Sequence, residues 1–267
     1  MRNNKAHFET DDFVFDKRLY VIFLIIFSEV LGFSIVLPII PFLGLSLGLT
    51  PIEIGLIASV FSFCQLFASP ITGKLSDRFG RKPLFVLSQL STFAGFLLLG
   101  FATTAILLLV SRLIDELLGS NMTVSQAYIS DITEPKHRTR VYGYSSGVFG
   151  AGLIFGPVFG GVLSRISYSV PMFFAAGITL ISIVLVFFLP ETITEKPDTL
   201  SLGFNDILPI NDAIRFVKTP QVRNSLFMFF IYNVGFFCLF LPLVYLQKPN
   251  FTLMLSRLAF TWLGSAY

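Results

Sequence analysis

Between Leu19 and Leu246 the chain is divided into apolar runs of about 20 residues, the length a helix needs to cross a bilayer, and nothing else restricts its fold so severely. A backbone inside lipid must satisfy its own N–H and C=O groups, so such runs are read as membrane-spanning helices. They cover roughly residues 19–43, 51–72, 83–102, 105–128, 141–163, 170–189 and 225–246. Composition agrees: 54% of the 267 residues are hydrophobic and 13% are charged, with a mean hydropathy of +0.78. Soluble domains carry about 25% charged residues. An all-α membrane protein is expected.

The connections alternate in charge. Residues 45–53 and 101–104 contain no Lys or Arg and 164–170 contain only Arg165, whereas most of the other basic residues fall on the opposite side. The positive-inside bias therefore predicts a multi-pass protein of the cell membrane with its N-terminus in the cytoplasm. Cys64 and Cys238 lie inside apolar runs and His7 and His137 in polar segments, so no disulfide framework, metal centre or cofactor is expected. The net charge of +3 gives no indication of a nucleic-acid partner. No phosphate-cradling G-x-x-x-x-G-K-[ST] string is present, so ATP is not the expected energy source, and no enzymatic site is read.

The second and third runs are joined by a charged island, Gly73-Lys74-Leu75-Ser76-Asp77-Arg78-Phe79-Gly80-Arg81-Lys82-Pro83-Leu84. So short a connection makes the two helices antiparallel neighbours. Gly73 and Gly80 suit close approach and positive φ, Pro83 suits the first turn of the outgoing helix, and Asp77 can pair with Arg81 four residues on. The island resembles the G-x-L-x-D-R-x-G-R-K signature between the second and third helices of the major facilitator superfamily. That resemblance implies the N-terminal six-helix half of a major facilitator fold plus the seventh helix. It also implies a conformational latch at the cytoplasmic face, formed by Gly73, Asp77, Arg78, Gly80 and Arg81.

Charge inside the spans is costly, about 2.5–3.5 kcal/mol per Arg or Asp at mid-membrane on the lenient scale, and it marks candidate sites. In the fourth span Arg112, Asp115 and Glu116 share a helical face that, continued at the same period, takes in Gly119, Ser120, Thr123, Gln126 and Ala127. That stripe should line a cavity or meet a partner helix; alternatively, Arg112 and one carboxylate form an ion pair that only holds the bundle together. Arg112 matches the arginine of a family R-x-x-x-G signature in which Glu116 here replaces the glycine. In the first span Glu29, followed by Gly32, Pro38 and Pro41, is costly when ionised and so fit to take up and release a proton. Glu29, Asp115 and Glu116 are the proton-coupling candidates. Arg112, Gly119, Thr123, Gln126 and, in the seventh span, Asn233 are the cavity candidates.

In the fifth span glycines recur at 143, 147, 152, 156 and 160, a spacing that lets helices pack closely. Gly152, Gly156, Pro157, Gly160 and Gly161 resemble the G-x-x-x-G-P-x-x-G-G signature of the proton-antiporter branch, whose members include tetracycline and multidrug exporters. Asn121-Met122-Thr123 fits a glycosylation acceptor but falls inside a span.

The expected organisation is a cytoplasmic tail (1–18), a six-helix bundle (19–190), a charged, proline-punctuated cytoplasmic linker (191–223) and the start of a second half (224–267). Within the linker a short surface helix would end near Lys218. Transporters of this family have two six-helix halves, so the chain is expected to lack most of its second half. The resemblance implies proton-coupled export of a small drug-like molecule by alternating access, with protons, substrate, lipid and a missing C-terminal half as partners. A truncated relic or regulatory half-transporter is the alternative. A seven-helix receptor or retinal pump is a remote one, since the N-terminus is expected inside and no lysine stands between Ser225 and Gln247.

Overall fold

The structure is a computed structural model describing residues 15–118, 120–193 and 218–246. The expected surface helix, the N-terminal tail and the segment after Leu246 fall wholly or largely outside them. The chain forms two compact units, one ending at Leu208 and one starting at Pro209.

In the first unit, α1 (Lys17–Ser46) begins where the Asp16 carboxylate accepts the Arg18 backbone N–H at 2.8 Å. It ends at a turn through Gly48, whose φ of 78° favours glycine. Next, α2 (Pro51–Phe79) starts with a capping box: the Glu53 carboxylate takes the Thr50 N–H at 2.7 Å while the Thr50 hydroxyl takes the Glu53 N–H at 3.3 Å. Only Gly80, with φ 111°, separates α2 from α3 (Arg81–Gly100). Positive φ is thus needed at Gly80 alone; Gly73, expected to share that role, is helical.

The expected fourth span is not one helix. It is divided into α4 (Ala105–Leu118) and α5 (Asn121–Ile132), of 14 and 12 residues, and only together do they approach a bilayer's thickness. Beyond the three ionisable residues, Ser120, a modest helix former, lies outside both helices as the N-cap of α5. A 3₁₀ turn, Pro135–His137, leads into α6 (Arg138–Leu163), and α7 (Ser169–Phe187) completes the unit. By length and apolarity α1, α2, α3, α7 and the stretch Pro135–Leu163 can each cross a membrane. The second unit contributes α8 (Pro220–Leu246), which covers the expected seventh span.

Two apolar clusters make up the core of the first unit. One is built on Ile22, Ile25, Phe85, Val124, Tyr128 and Val186; the other on Ile35, Ile39, Phe96, Leu99, Leu108 and Met172. On α1 the first cluster reaches Val30 and the second begins at Leu31. On α3 the stretch between Phe85 and Phe96 contains buried Ser88, Gln89, Ser91 and Thr92. Between Leu108 on α4 and Val124 on α5 lie Arg112, Asp115, Glu116 and Asn121, all buried. The sequence has thus placed a polar layer across the bundle at the height where the clusters part, and hydrophobic packing on both sides fixes the helices that carry it.

Candidate functional site

Glu29 occupies this layer on α1, keeping some accessible surface although it lies deep among the helices. Its Oε2 accepts from Asn121 Nδ2 at 2.9 Å. The same amide reaches Thr92 Oγ1 at 3.2 Å, and Asn121 Oδ1 accepts from Ser88 Oγ at 2.5 Å. Ser88 and Thr92 are four residues apart on α3 and therefore present one face to Asn121. Asn121 thus links α1, α3 and the first turn of α5. Sequence pattern alone presents Asn121 only as a glycosylation acceptor and does not single out Ser88 or Thr92. The signal was available in Ser88-Gln89-Leu90-Ser91-Thr92, a polar cluster inside an apolar run.

On α4, Arg112 is 3% exposed, and its Nη1 meets Asp115 Oδ2 at 3.1 Å. Its guanidinium stands 5.8 Å from the Phe96 ring centroid, within cation–π range. Nε and Nη2 have no hydrogen-bond partner among the described residues. Two buried donors without partners are unusual, each costing about 1–3 kcal/mol, and they leave Arg112 able to take an additional acceptor. Two glycines set the geometry. A Cβ at Gly95 would stand 2.8 Å from Asp115 Cβ and 3.1 Å from the Ser111 carbonyl, so α3 meets α4 closely there. A Cβ at Gly32 would meet the Phe96 ring at 2.7 Å, so the ring beside Arg112 lies over α1. The ion pair anticipated as an alternative is formed, and both carboxylates of α4 are buried beside it.

Among the remaining cavity candidates, the Thr123 hydroxyl lies 2.7 Å from Ser69 of α2. Gln126 Nε2 approaches Met122 Sδ at 3.7 Å, and the Gln126 carbonyl accepts from Tyr142 at 3.2 Å. Gly119 and the side chain of Asn233 lie outside the described residues.

At the α2–α3 turn, Arg81 joins three elements. Nη1 meets Asp77 Oδ1 at 2.7 Å and donates to Ser76 Oγ at 2.5 Å, while Nε meets Asp131 Oδ2 of α5 at 2.9 Å. Arg78 lies over the Phe79 ring at 5.8 Å. Glu191, just beyond α7, accepts the N–H groups of Arg81 at 2.8 Å and Lys82 at 3.1 Å, capping α3 where the helix dipole favours an anion. Lys82 Nζ returns the interaction, donating at 2.8 Å to the Phe187 carbonyl at the C-terminus of α7. The ends of the two antiparallel helices are therefore capped reciprocally. Burial raises the pKa of Glu191, but four backbone N–H groups, from Ile193, Arg81, Lys82 and Thr192, outweigh it and hold the carboxyl below its usual range. The partners of Asp77 and Arg81 among the described residues all belong to the first unit.

On α6, Gly152, Gly156 and Gly160 face α1. A side chain at Gly152 would stand 2.9 Å from Val30, one at Gly156 would overlap Ser34, and one at Gly160 would stand 3.1 Å from the Ile35 carbonyl. Ser34 Oγ donates to the Gly152 carbonyl at 2.8 Å. Gly161 has open space around it, and Ile154, Val158 and Val162 form an exposed stripe. Pro157 lies within the helix without ending it.

The chain is 36% identical over 164 residues to tetracycline resistance protein, class H, of Pasteurella multocida, covering 60% of this chain and 41% of that one. It is 33% identical over 207 residues to multidrug resistance protein 1 of Bacillus subtilis (strain 168), covering 77% and 50%. Thus it spans about half the length of the curated relatives it matches. The crystal structure of the human organic anion transporter MFSD10 (TETRAN) has the same fold, with a TM-score of 0.63 at 24% identity over 74% of this chain and 54% of that one. Residues 22–267 match a single family, and the helical bundle, the charged turn and the glycine face of α6 all accord with it: the chain belongs to the Major Facilitator Superfamily.

Proposed function

We propose that the chain forms the proton-coupling half of a secondary transporter that exports small, drug-like organic molecules from the cytoplasm. The observation that carries the proposal is the layer of Glu29, Asp115 and Glu116 around Arg112, held between two apolar clusters in a bundle of spanning helices. Groups of this kind are expensive in a membrane and mark ion and substrate pathways. Glu29 combines partial accessibility with a hydrogen-bonded anchor, so it can exchange a proton without losing its place. The tetracycline and multidrug resistance relatives support a drug-like substrate.

In this reading proton uptake alternates with substrate binding at the midplane, and two halves rock about that site. The N-terminus and the α2–α3 turn lie on the cytoplasmic side of the cell membrane, where Gly73, Asp77, Arg78, Gly80 and Arg81 act as a conformational latch. Gly152, Gly156, Pro157, Gly160 and Gly161 keep α6 against the helix that carries Glu29. The test is proteoliposomes holding a full-length version that carries this half and a second one, an imposed pH gradient and a fluorescent drug-like dye. Dye should move uphill, saturably, and a protonophore should stop it. Movement unaffected by collapse of the gradient contradicts proton coupling.

A further inference from the structure

We infer that the polar layer binds two protons, one on Glu29 and one on Glu116, beside a standing pair of Arg112 and Asp115. This inference rests on the proposed function and deepens it by fixing the number of protons the site exchanges.

Among the described residues four ionisable groups meet there: three carboxylates and one cation. All four charged would leave a net charge of −2 between two apolar clusters. Arg112 pairs with Asp115 at 3.1 Å, and its one charge offsets only one of the three carboxylates. The donor that holds Glu29 is the uncharged amide of Asn121. Glu116 is 8% exposed, and no hydrogen bond or ion pair of its carboxylate is found among the described residues. Among the described residues the elements around it bring no second cation. Its neighbours on α4 are Arg112 and Asp115, α2 contributes the Cys64 thiol, and α1 contributes Glu29. On α3 the facing groups are the Ser91 and Thr92 hydroxyls, which bond the Ile114 carbonyl and the Asn121 amide.

A buried carboxylate without a cation is costly, so neutrality of the layer requires two protons. With glycine at position 116, as in the R-x-x-x-G pattern, one proton would suffice; Glu116 adds the second. Uptake forms one O–H bond on each glutamate, and release returns both protons to water when substrate binds. A cationic substrate with one positive charge would then move outward as two protons move inward, carrying net positive charge inward.

The infrared difference spectrum of the purified protein between acid and alkaline pH tests this directly. Two carbonyl bands of protonated carboxyl groups are expected, one missing in Glu29→Gln and the other in Glu116→Gln. Glu116→Gly supplies the same readout should the glutamine variant fail to fold. A spectrum unchanged by either substitution at Glu116, or a second band that disappears in Asp115→Asn instead, overturns the inference. Loss of gradient-driven dye movement with both bands present would count against the proposed function and leave the two protons in place.

Discussion

The Glu29 carboxylate on α1 is held at 2.9 Å by the amide of Asn121, a residue that stands 92 positions later at the start of α5. The same amide binds Ser88 and Thr92, so one side chain organises three helices. Replacing Asn121 by Ala would leave Ser88 and Glu29 without that partner inside the bundle. Unsatisfied buried groups cost about 1–3 kcal/mol each, so thermal unfolding in detergent should occur at clearly lower temperature. A variant as stable as the parent would show that the amide does not organise the layer.

The glycines of α6 are not equivalent. A methyl group at Gly156 would overlap Ser34, and relieving that overlap must move α6 away from α1. Gly156→Ala should destabilise by about 1–3 kcal/mol, the usual cost of overpacking. At Gly161 there is open space, and Gly161→Ala should be neutral or stabilising by up to about 1 kcal/mol, because alanine restricts the unfolded chain. Parallel unfolding curves compare the two. Equal effects would mean that the α1–α6 contact is not set by these glycines.

Arg81 and Asp77 should separate in the same way. The Arg81 side chain is 7% exposed and serves Asp77, Ser76 and Asp131, whereas Asp77 is 53% exposed. Arg81→Lys loses the planar fork and should destabilise by about 2 kcal/mol or more. Asp77→Asn removes an exposed partner and should change stability by less than about 1 kcal/mol. An effect of Asp77→Asn on cysteine accessibility within the bundle, without loss of stability, is what the latch proposal requires; unchanged accessibility would count against it.

Glu191 gives a pH dependence of definite sign. Its carboxyl is held below the usual range in the folded state, so its stabilisation is fully present above the unfolded value. That contribution is lost as pH falls through the lowered folded value. Glu191→Ala should therefore cost about 1 kcal/mol at neutral pH, the size of a helix cap, and the difference from the parent should vanish in strong acid. A difference that grows on acidification would contradict the capping role.

How far these features could be read beforehand depended on the range over which they act. Span lengths, the tight turn at Gly80 and the pairing of Asp77 with Arg81 are local and follow from hydropathy and spacing. The burial of Arg112, Asp115 and Glu116 followed from the cost of charge in lipid. What sequence spacing could not supply was long-range partnership. Asn121 meets Glu29 and Glu191 caps α3 only because the folded helices bring distant positions together. The break between α4 and α5 does not show in a periodic stripe continued through Ser120, because period carries no information on where a helix is capped. Beyond the break Thr123 meets Ser69 of α2, a contact between distant positions that spacing does not supply.

Glu29 is the point at which the account can be tested most directly. In proteoliposomes holding a full-length version with both halves under an imposed pH gradient, the parent should drive dye uphill, and Glu29→Gln should reduce that movement to the level of empty liposomes while dye binding stays measurable. Retained gradient-driven movement in Glu29→Gln would contradict the central claim that this carboxylate couples protons to transport.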